Sequence, residues 1–170
     1  MPTTNPSFED AARRAKALRW MFFDVDGVLT DGGLYYSGQG ETLKRFHVLD
    51  GHGLKALQQA GLRLGILSGR THPATEARAR ELGFDVVIQG AQHKGFAFDQ
   101  VLHERGILAS ECGHMGDDLP DLEIFDRVHF AAAPPHAVDA VLAAAHWISG
   151  KAGGFGAVRE CCDFILESRR

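Results

Sequence analysis

Short apolar runs and segments of helical spacing take turns along this chain. The runs "LRWMFFDV" (18–25), "LRLGILS" (62–68), "DVVIQ" (85–89), "CGHMG" (112–116), "VHFA" (128–131) and "HWIS" (146–149) have the length and bounding residues of buried strands. Between them lie segments that predict helices. These are "DGHGLKALQQAG" (50–61), with Asp50 as cap and Gly61 as stop, and "THPATEARARELG" (71–83), opened by Thr71 with Pro73 in its first turn. "KGFAFDQVLHERG" (94–106), "LPDLEIFDR" (119–127), "PPHAVDAVLAAA" (134–145) and "AVRECCDFILES" (157–168) follow. One stretch breaks the alternation: "LYYSGQGETLKRF" (34–46) predicts a hairpin about Ser37-Gly38-Gln39-Gly40. The first dozen residues predict a frayed or helical lead-in.

Strands alternating with helices specify βαβ units, hence an α/β, Rossmann-like parallel sheet with helices on both faces. We expect one domain over residues 1–170, with a hairpin flap at about 31–47 and a C-terminal tail at about 150–170. Ligands in such folds sit outside the carboxyl ends of the strands, so the chemistry should be sought there.

Composition narrows the function classes. The net charge of -4 argues against nucleic acid, whose phosphates need a basic surface. No apolar run is long enough to span a bilayer, and the polar N-terminus is not a secretory leader, so neither membrane nor export is expected. Cys112, Cys161 and Cys162 have no metal-binding spacing and form no even framework; they read as free thiols of a cytoplasmic protein.

The strand ends carry a recurring chemistry. Asp24 and Asp26 close the first strand, Ser68, Gly69 and Arg70 the second; His93 and Lys94 follow the third, and Gly116, Asp117 and Asp118 the fourth. Carboxylates carried toward a dry interior are costly unless a cation or hydrogen-bond donors meet them. Several acids with one hydroxyl and one ammonium suit Mg2+ and a phosphoryl group. Each piece has a plainer reading taken singly. Asp24 and Asp26 could lie on a solvated turn, Ser68 or Thr71 could be a helix cap, Lys94 a solvated helix start, and "GDDLPD" (116–121) a set of capping acids. Their joint occurrence at successive strand ends favours one site.

"DVDGVLTDG", "ILSGR", Lys94 and "GDDLPD", in that order, resemble the motifs of the haloacid dehalogenase-like phosphohydrolases. "DVDGVLTDGGLYY", the pattern F-x-V-x-DG-x-G over Phe46–Gly53, "SGR", "QG", "GDD" and "GGFGAVRE" are similar to the 3-deoxy-D-manno-octulosonate 8-phosphate phosphatase branch, over about residues 19–167. The resemblance implies a Mg2+-dependent phosphatase of lipopolysaccharide synthesis with Asp24 as nucleophile. Asp26, two residues on in extended chain and so pointing the same way, would be general acid and base. Mg2+ would be held by Asp24, the Asp26 carbonyl and Asp117; whether Asp118 or Asp121 also contacts it stays open, Asp121 acting through water by analogy. Ser68, Gly69 and Lys94 would bind the phosphoryl oxygens.

The intervals Thr30–Ser68 and Ser68–Lys94 are consumed by predicted elements, which leaves no room for a cap domain. A lone subunit would therefore have an open site. The hairpin's apolar stripe (Leu34, Tyr36, Leu43, Phe46) exceeds what a small hairpin can bury. The resemblance implies homotetramers built through this hairpin, with a neighbour's "GKAGGFGAVRE" (150–160) closing the pocket. Arg70, Arg78 and Arg159 are the candidate cations for an anionic sugar-acid substrate, Arg159 being equally readable as a surface residue. His47, His52, His72 and His93 match no metal pattern and read as local hydrogen-bonding or solvent-facing groups. Three alternatives stand beside this reading: a phosphatase for a nine-carbon sugar-acid phosphate, a receiver-like phospho-acceptor module, and an inactive scaffold on this fold, which the presence of every expected catalytic side chain disfavours. The second is disfavoured because the middle strand ends in Gln89, where an acceptor aspartate would stand.

Overall fold

A computed structural model describes residues 8–170. The chain runs α1 (Phe8–Lys16), β1 (Trp20–Phe23), β2 (Tyr35–Ser37), β3 (Gly40–Leu43), α2 (Val48–Gln59), β4 (Arg63–Leu67), α3 (Pro73–Leu82) and β5 (Val86–Ile88). It continues with α4 (Lys94–Arg105), β6 (Cys112–Met115), α5 (Leu119–Phe125), β7 (Phe130–Ala133), α6 (Asp139–Ala144), β8 (Trp147–Ile148) and α7 (Ala157–Ser168). Six parallel strands form one sheet in the order β5-β4-β1-β6-β7-β8, and β2-β3 stand apart as an antiparallel hairpin. This is the expected Rossmann-like architecture without a cap domain.

Strand β1 explains why both faces are covered. Its side chains alternate, Met21 and Phe23 packing with Leu54 and Leu57 of α2 and Val158 and Ile165 of α7, while Phe22 packs with Phe98 of α4 and Ile124 of α5. A four-residue strand buried throughout needs apolar residues in both phases, which is why "WMFF" shows no alternation. Gly65 of β4 supplies the room: a Cβ there would lie 2.3 Å from the Phe22 ring.

Four sequence expectations need correction. Asp50 and Thr71 do not open α2 and α3; His47 and His72 do, their Nδ1 atoms accepting from the N–H groups of Leu49 and Ala74. Asp50 lies inside α2, buried, and its Oδ1 accepts the Arg159 N–H at 2.9 Å, so it serves the first turn of a different helix, α7. The strand expected over "VHFA" is shifted to Phe130–Ala133, because the small, wholly buried Ala131–Ala133 fit between neighbouring strands. The helix expected from Pro134 begins only at Asp139; Pro134–Val138 form a turn whose Val138 N–H is donated to the Asp117 carbonyl.

The fourth correction concerns residues 150–170, expected as a C-terminal tail. From Ala157 onward they are core: Ala157, Val158, Cys161, Cys162, Phe164 and Ile165 are buried, and α7 packs on both α1 and α2. Gly53 permits that approach, since a Cβ there would lie 3.0 Å from Cys162 Cβ and 3.2 Å from the Arg159 Cα. The motif D-G-x-G at Asp50–Gly53 is thus explained by packing. The lead-in is helical from Phe8, which sets its ring edge-on against Phe164 of α7; the rest of that expectation falls outside the described residues.

Candidate active site

Backbone geometry at the end of β1 creates the site. Asp24 leaves the strand extended, Asp26 remains extended, and Gly27 turns sharply at φ +84. The turn is held by Thr30, whose N–H bonds the Val25 carbonyl at 3.0 Å and whose Oγ1 accepts from Gly27 N–H and Gly32 N–H. Only glycine serves at position 27: besides the positive φ, a Cβ would sit 1.9 Å from Asp117 Oδ2. The loop after β6 is therefore pressed directly against the loop after β1.

These loops, with those after β4 and β5, enclose a cleft of about 400 Å3 lined by Asp24, Asp26, Ser68, Gly69, Arg70, Lys94 and Asp117, among others. The strand-end residues do converge. Lys94 Nζ, on the first turn of α4, lies 3.0 Å from Asp24 Oδ1 and 2.8 Å from Asp121 Oδ1. Ligand atoms of Asp24, Asp117 and Asp121 fall within 4.8 Å of one another.

The three acids differ in what they have left to offer. Asp121 is fully buried; its Oδ1 accepts from Lys94 and from His114 Nε2, and its Oδ2 from the N–H groups of Asp117 and Asp118. Burial works to raise its pKa, but the His114 hydrogen bond and the His114 and Lys94 charges outweigh it and hold the carboxyl well below the usual range. With every favourable acceptor direction used, Asp121 is an internal anchor that fixes Lys94 and the Asp117–Asp118 backbone. It also completes a capping box with Asp118, so the plain capping reading of "GDDLPD" holds for two of its acids.

Asp24 and Asp117 are less well compensated: Lys94 opposes the rise at both acids without cancelling it. Burial, then the Asp121 charge, pushes Asp24 up to about 6. Burial, then the charges of Asp24 and Asp121, pushes Asp117 up to about 8. Two carboxylates in contact share a proton unless a cation replaces it, and their hard oxygen donors fit a divalent ion of the Mg2+ class. Lys94 is held charged: burial acts against it, and the Asp24 and Asp121 charges prevail.

Asp26 faces the same cleft but is served by the hairpin. Lys44 Nζ donates to its Oδ1 at 2.6 Å and to Glu41 Oε1 at 2.9 Å, while Arg70 Nε lies 3.7 Å from its Oδ2 and Arg70 Nη2 donates to Glu41 Oε2. Lys44, Glu41 and His114 were missed by sequence reasoning. Lys44 and Glu41 lie in the predicted hairpin, and nothing local in the sequence marks them as site residues. His114 sits inside an apolar strand seven residues before Asp121, a buried polar residue on a strand leading to the acids, which was the available signal.

Ser68 and Gly69 line the cleft, and Ser68 is buried with its Oγ accepting from Arg70 N–H, so it also acts as the local turn cap. Arg70 is at the cleft; Arg78 and Arg159 are not. Arg78 sits against Gly51 of α2, bonding the His47 carbonyl and Glu81, and Arg159 is paired with Asp163. The subunit's own "GGFG" supports the site from behind: Cβ atoms at Gly153 and Gly154 would lie 1.9 Å from the Gly27 carbonyl oxygen and 2.3 Å from Asp31 N. Arg45 at the hairpin base donates to the Gly154 carbonyl and lies over the Phe155 ring.

No family model matches the sequence. The 3-deoxy-D-manno-octulosonate 8-phosphate phosphatase KdsC of Yersinia pestis is 37% identical over 161 residues, covering 95% of this chain and 86% of that protein. Its Escherichia coli K12 counterpart is 35% identical over the same shares. Among solved structures, the 3-deoxy-D-manno-octulosonate 8-phosphate phosphatase of Moraxella catarrhalis, in complex with magnesium, phosphate and KDO, superposes with a TM-score of 0.92. It is 38% identical, over 96% of this chain and 94% of that one. The cobalt-bound enzyme of Haemophilus influenzae gives 0.88 at 35% identity, over 92% and 91%. With these identities over nearly its whole length, and with the acids at the strand ends of the same fold, this chain belongs to the 3-deoxy-D-manno-octulosonate 8-phosphate phosphatase family of haloacid dehalogenase-like phosphohydrolases.

Proposed function

We propose that this chain is a Mg2+-dependent phosphatase that releases 3-deoxy-D-manno-octulosonate from its 8-phosphate, as a cytoplasmic homotetramer serving lipopolysaccharide synthesis. The observation that carries the reading is the placement of Lys94 Nζ on Asp24 Oδ1, with Asp117 beside it, in a cleft that Asp26 also lines.

In this mechanism an Asp24 carboxylate oxygen attacks phosphorus in line, the bond to the sugar oxygen breaks, and Asp26 protonates that oxygen as it leaves. Asp26, now ionised, takes a proton from water, which attacks the aspartyl phosphate and frees Asp24 and inorganic phosphate. Lys94 orients Asp24 and, with Ser68 and the backbone around Gly69, neutralises phosphoryl charge. Mg2+, held by Asp24, Asp117 and the Asp26 carbonyl, would supply the remaining positive charge at the phosphoryl group. Arg70 is the cation of this subunit best placed for the substrate carboxylate. Residues Leu34, Tyr36 and Leu43, all exposed on the hairpin, support assembly through that element. The buried, unpaired thiols and the lack of any helix long and apolar enough to cross a membrane among the described residues accord with the proposed location.

The test is phosphate release from a panel of phosphorylated sugar acids with Mg2+. The eight-carbon substrate should give the highest kcat/KM, and Asp24→Asn should abolish turnover. A higher kcat/KM on a nine-carbon 9-phosphate would reassign the substrate, and release that stops after one equivalent would mark a phospho-acceptor module.

A further inference from the structure

A second cleft, larger than the acid one at about 680 Å3, opens at the opposite end of the sheet, beside the amino ends of β1 and β4 and the loop leading into β6. Arg19, Arg63, Arg105 and Arg169 line it, arriving from four separate segments of the chain. In a protein of net charge -4 this is a local excess of cations. The carboxylates that meet them are Glu111, 3.4 Å from Arg19, and Asp85, 3.5 Å from Arg63. The other two guanidinia are steadied by neutral carbonyls: Arg105 donates to the Asp85 carbonyl at 3.1 Å, and Arg169 to the Leu18 carbonyl at 2.7 Å. Arg63 lies over the Trp20 ring, 5.8 Å from its centroid.

Four guanidinia gathered around one cavity repel each other, and two carboxylates leave them unbalanced. None of the four is needed by the chemistry at the far end of the strands. Their anchoring to carbonyls and an aromatic face holds the forks in place without consuming all their donors, an arrangement suited to anionic oxygens. The volume is that of a small-molecule site. From this placement we propose that the cleft binds a small polyanion, an oligophosphate chain bearing several charges, at a site separate from the phosphatase centre.

The experiment is calorimetric titration of the full chain with inorganic tripolyphosphate in EDTA, which removes the divalent ion that would hold a phosphoryl group in the acid cleft. Wild type and Asp24→Asn should bind equally, and Arg63→Ser/Arg105→Ser should bind at least about tenfold more weakly while keeping its phosphatase kcat/KM with Mg2+. Arg19→Ser, whose side chain is mostly exposed, is the second variant should the double one fold poorly; it should weaken binding in the same direction. ATP tested in parallel separates a nucleotide from a bare phosphate chain: tighter binding of ATP than of tripolyphosphate would assign part of the cleft to the nucleoside. No binding by wild type, or binding lost in Asp24→Asn and retained in the arginine variants, would overturn the proposal.

Discussion

Lys44 Nζ lies 2.6 Å from Asp26 Oδ1, and its side chain keeps only 2% of its surface exposed although the hairpin around it is open to solvent. The flap is thereby tied to the group proposed as general acid and base. A carboxylate pinned in this way is fixed in direction, and direction decides whether it reaches the leaving oxygen.

Lys44→Met should therefore lower kcat on the sugar phosphate by roughly 10- to 100-fold, a fraction of what general acid–base catalysis contributes. An aryl phosphate with a good leaving group needs no protonation, so its kcat should fall far less. Lys44→Arg should retain most of the activity. Steady-state rates on the two substrates check this; equal losses on both would assign Lys44 to folding of the hairpin alone.

Asp24 and Asp117 make stability depend on pH in a definite direction. Their folded pKa values, about 6 and about 8, stand above the ordinary 3.8. Between about pH 4 and 8 the folded chain thus holds protons that the unfolded chain has released, and stability falls as pH rises through that window. Asp121 is shifted the other way, but its window lies below the ordinary carboxylate value and does not interfere. Thermal melts in EDTA should show a lower Tm at pH 8 than at pH 5.5 from this pair. A bound divalent cation replaces the shared proton, so the rise in Tm on adding Mg2+ should be larger at pH 8. Asp117→Asn should flatten the EDTA profile. A Mg2+ increment that is the same at both pH values would remove the pair from the metal site.

Most of the sheet and the cleft could be read from the sequence, because each depends on local signals: apolar runs for strands, and acids, a serine and a lysine at their ends. What escaped depends on contacts between distant segments. Asp50 looks like a cap of its own helix and instead serves Arg159, 109 residues away. The strand expected over 128–131 sits two residues early, and only their place between two strands brings Ala132 and Ala133 into β7. Lys44 and Glu41 read as surface residues until the hairpin folds over Asp26. Histidine capping of α2 and α3 was hidden for a different reason, since it needs one particular tautomer and ring direction that composition does not reveal.

Gly153 offers a test at a distance in sequence from the catalytic loop. Its hydrogen stands where a Cβ would lie 1.9 Å from the Gly27 carbonyl, and its N–H is donated to His136 Nε2 at 2.9 Å. Gly153→Ala must displace backbone rather than a flexible side chain. It should cost roughly 1–3 kcal/mol of stability and shift the Gly27 turn that aligns Asp26. Denaturant unfolding and kcat measured on the same variant check both; unchanged kcat at reduced stability would show that the loop absorbs the shift before it reaches Asp26.

The same packing predicts what truncation does. Were residues from Gly153 onward a closing tail for a neighbour, their removal would leave a folded oligomer with a raised KM. In the structure that cut takes away α7, whose buried Val158, Cys161, Cys162 and Ile165 cover one face of β1 together with α2. It also removes the Arg159 N–H that Asp50 accepts. Exposing several large core side chains, at about 1.5–3 kcal/mol each, exceeds a typical margin of 5–15 kcal/mol once α1, which packs on α7, is also released. The truncated chain should therefore be insoluble or lack cooperative unfolding by circular dichroism. A soluble, cooperatively folded truncation impaired only in KM would restore the tail reading and refute α7 as core.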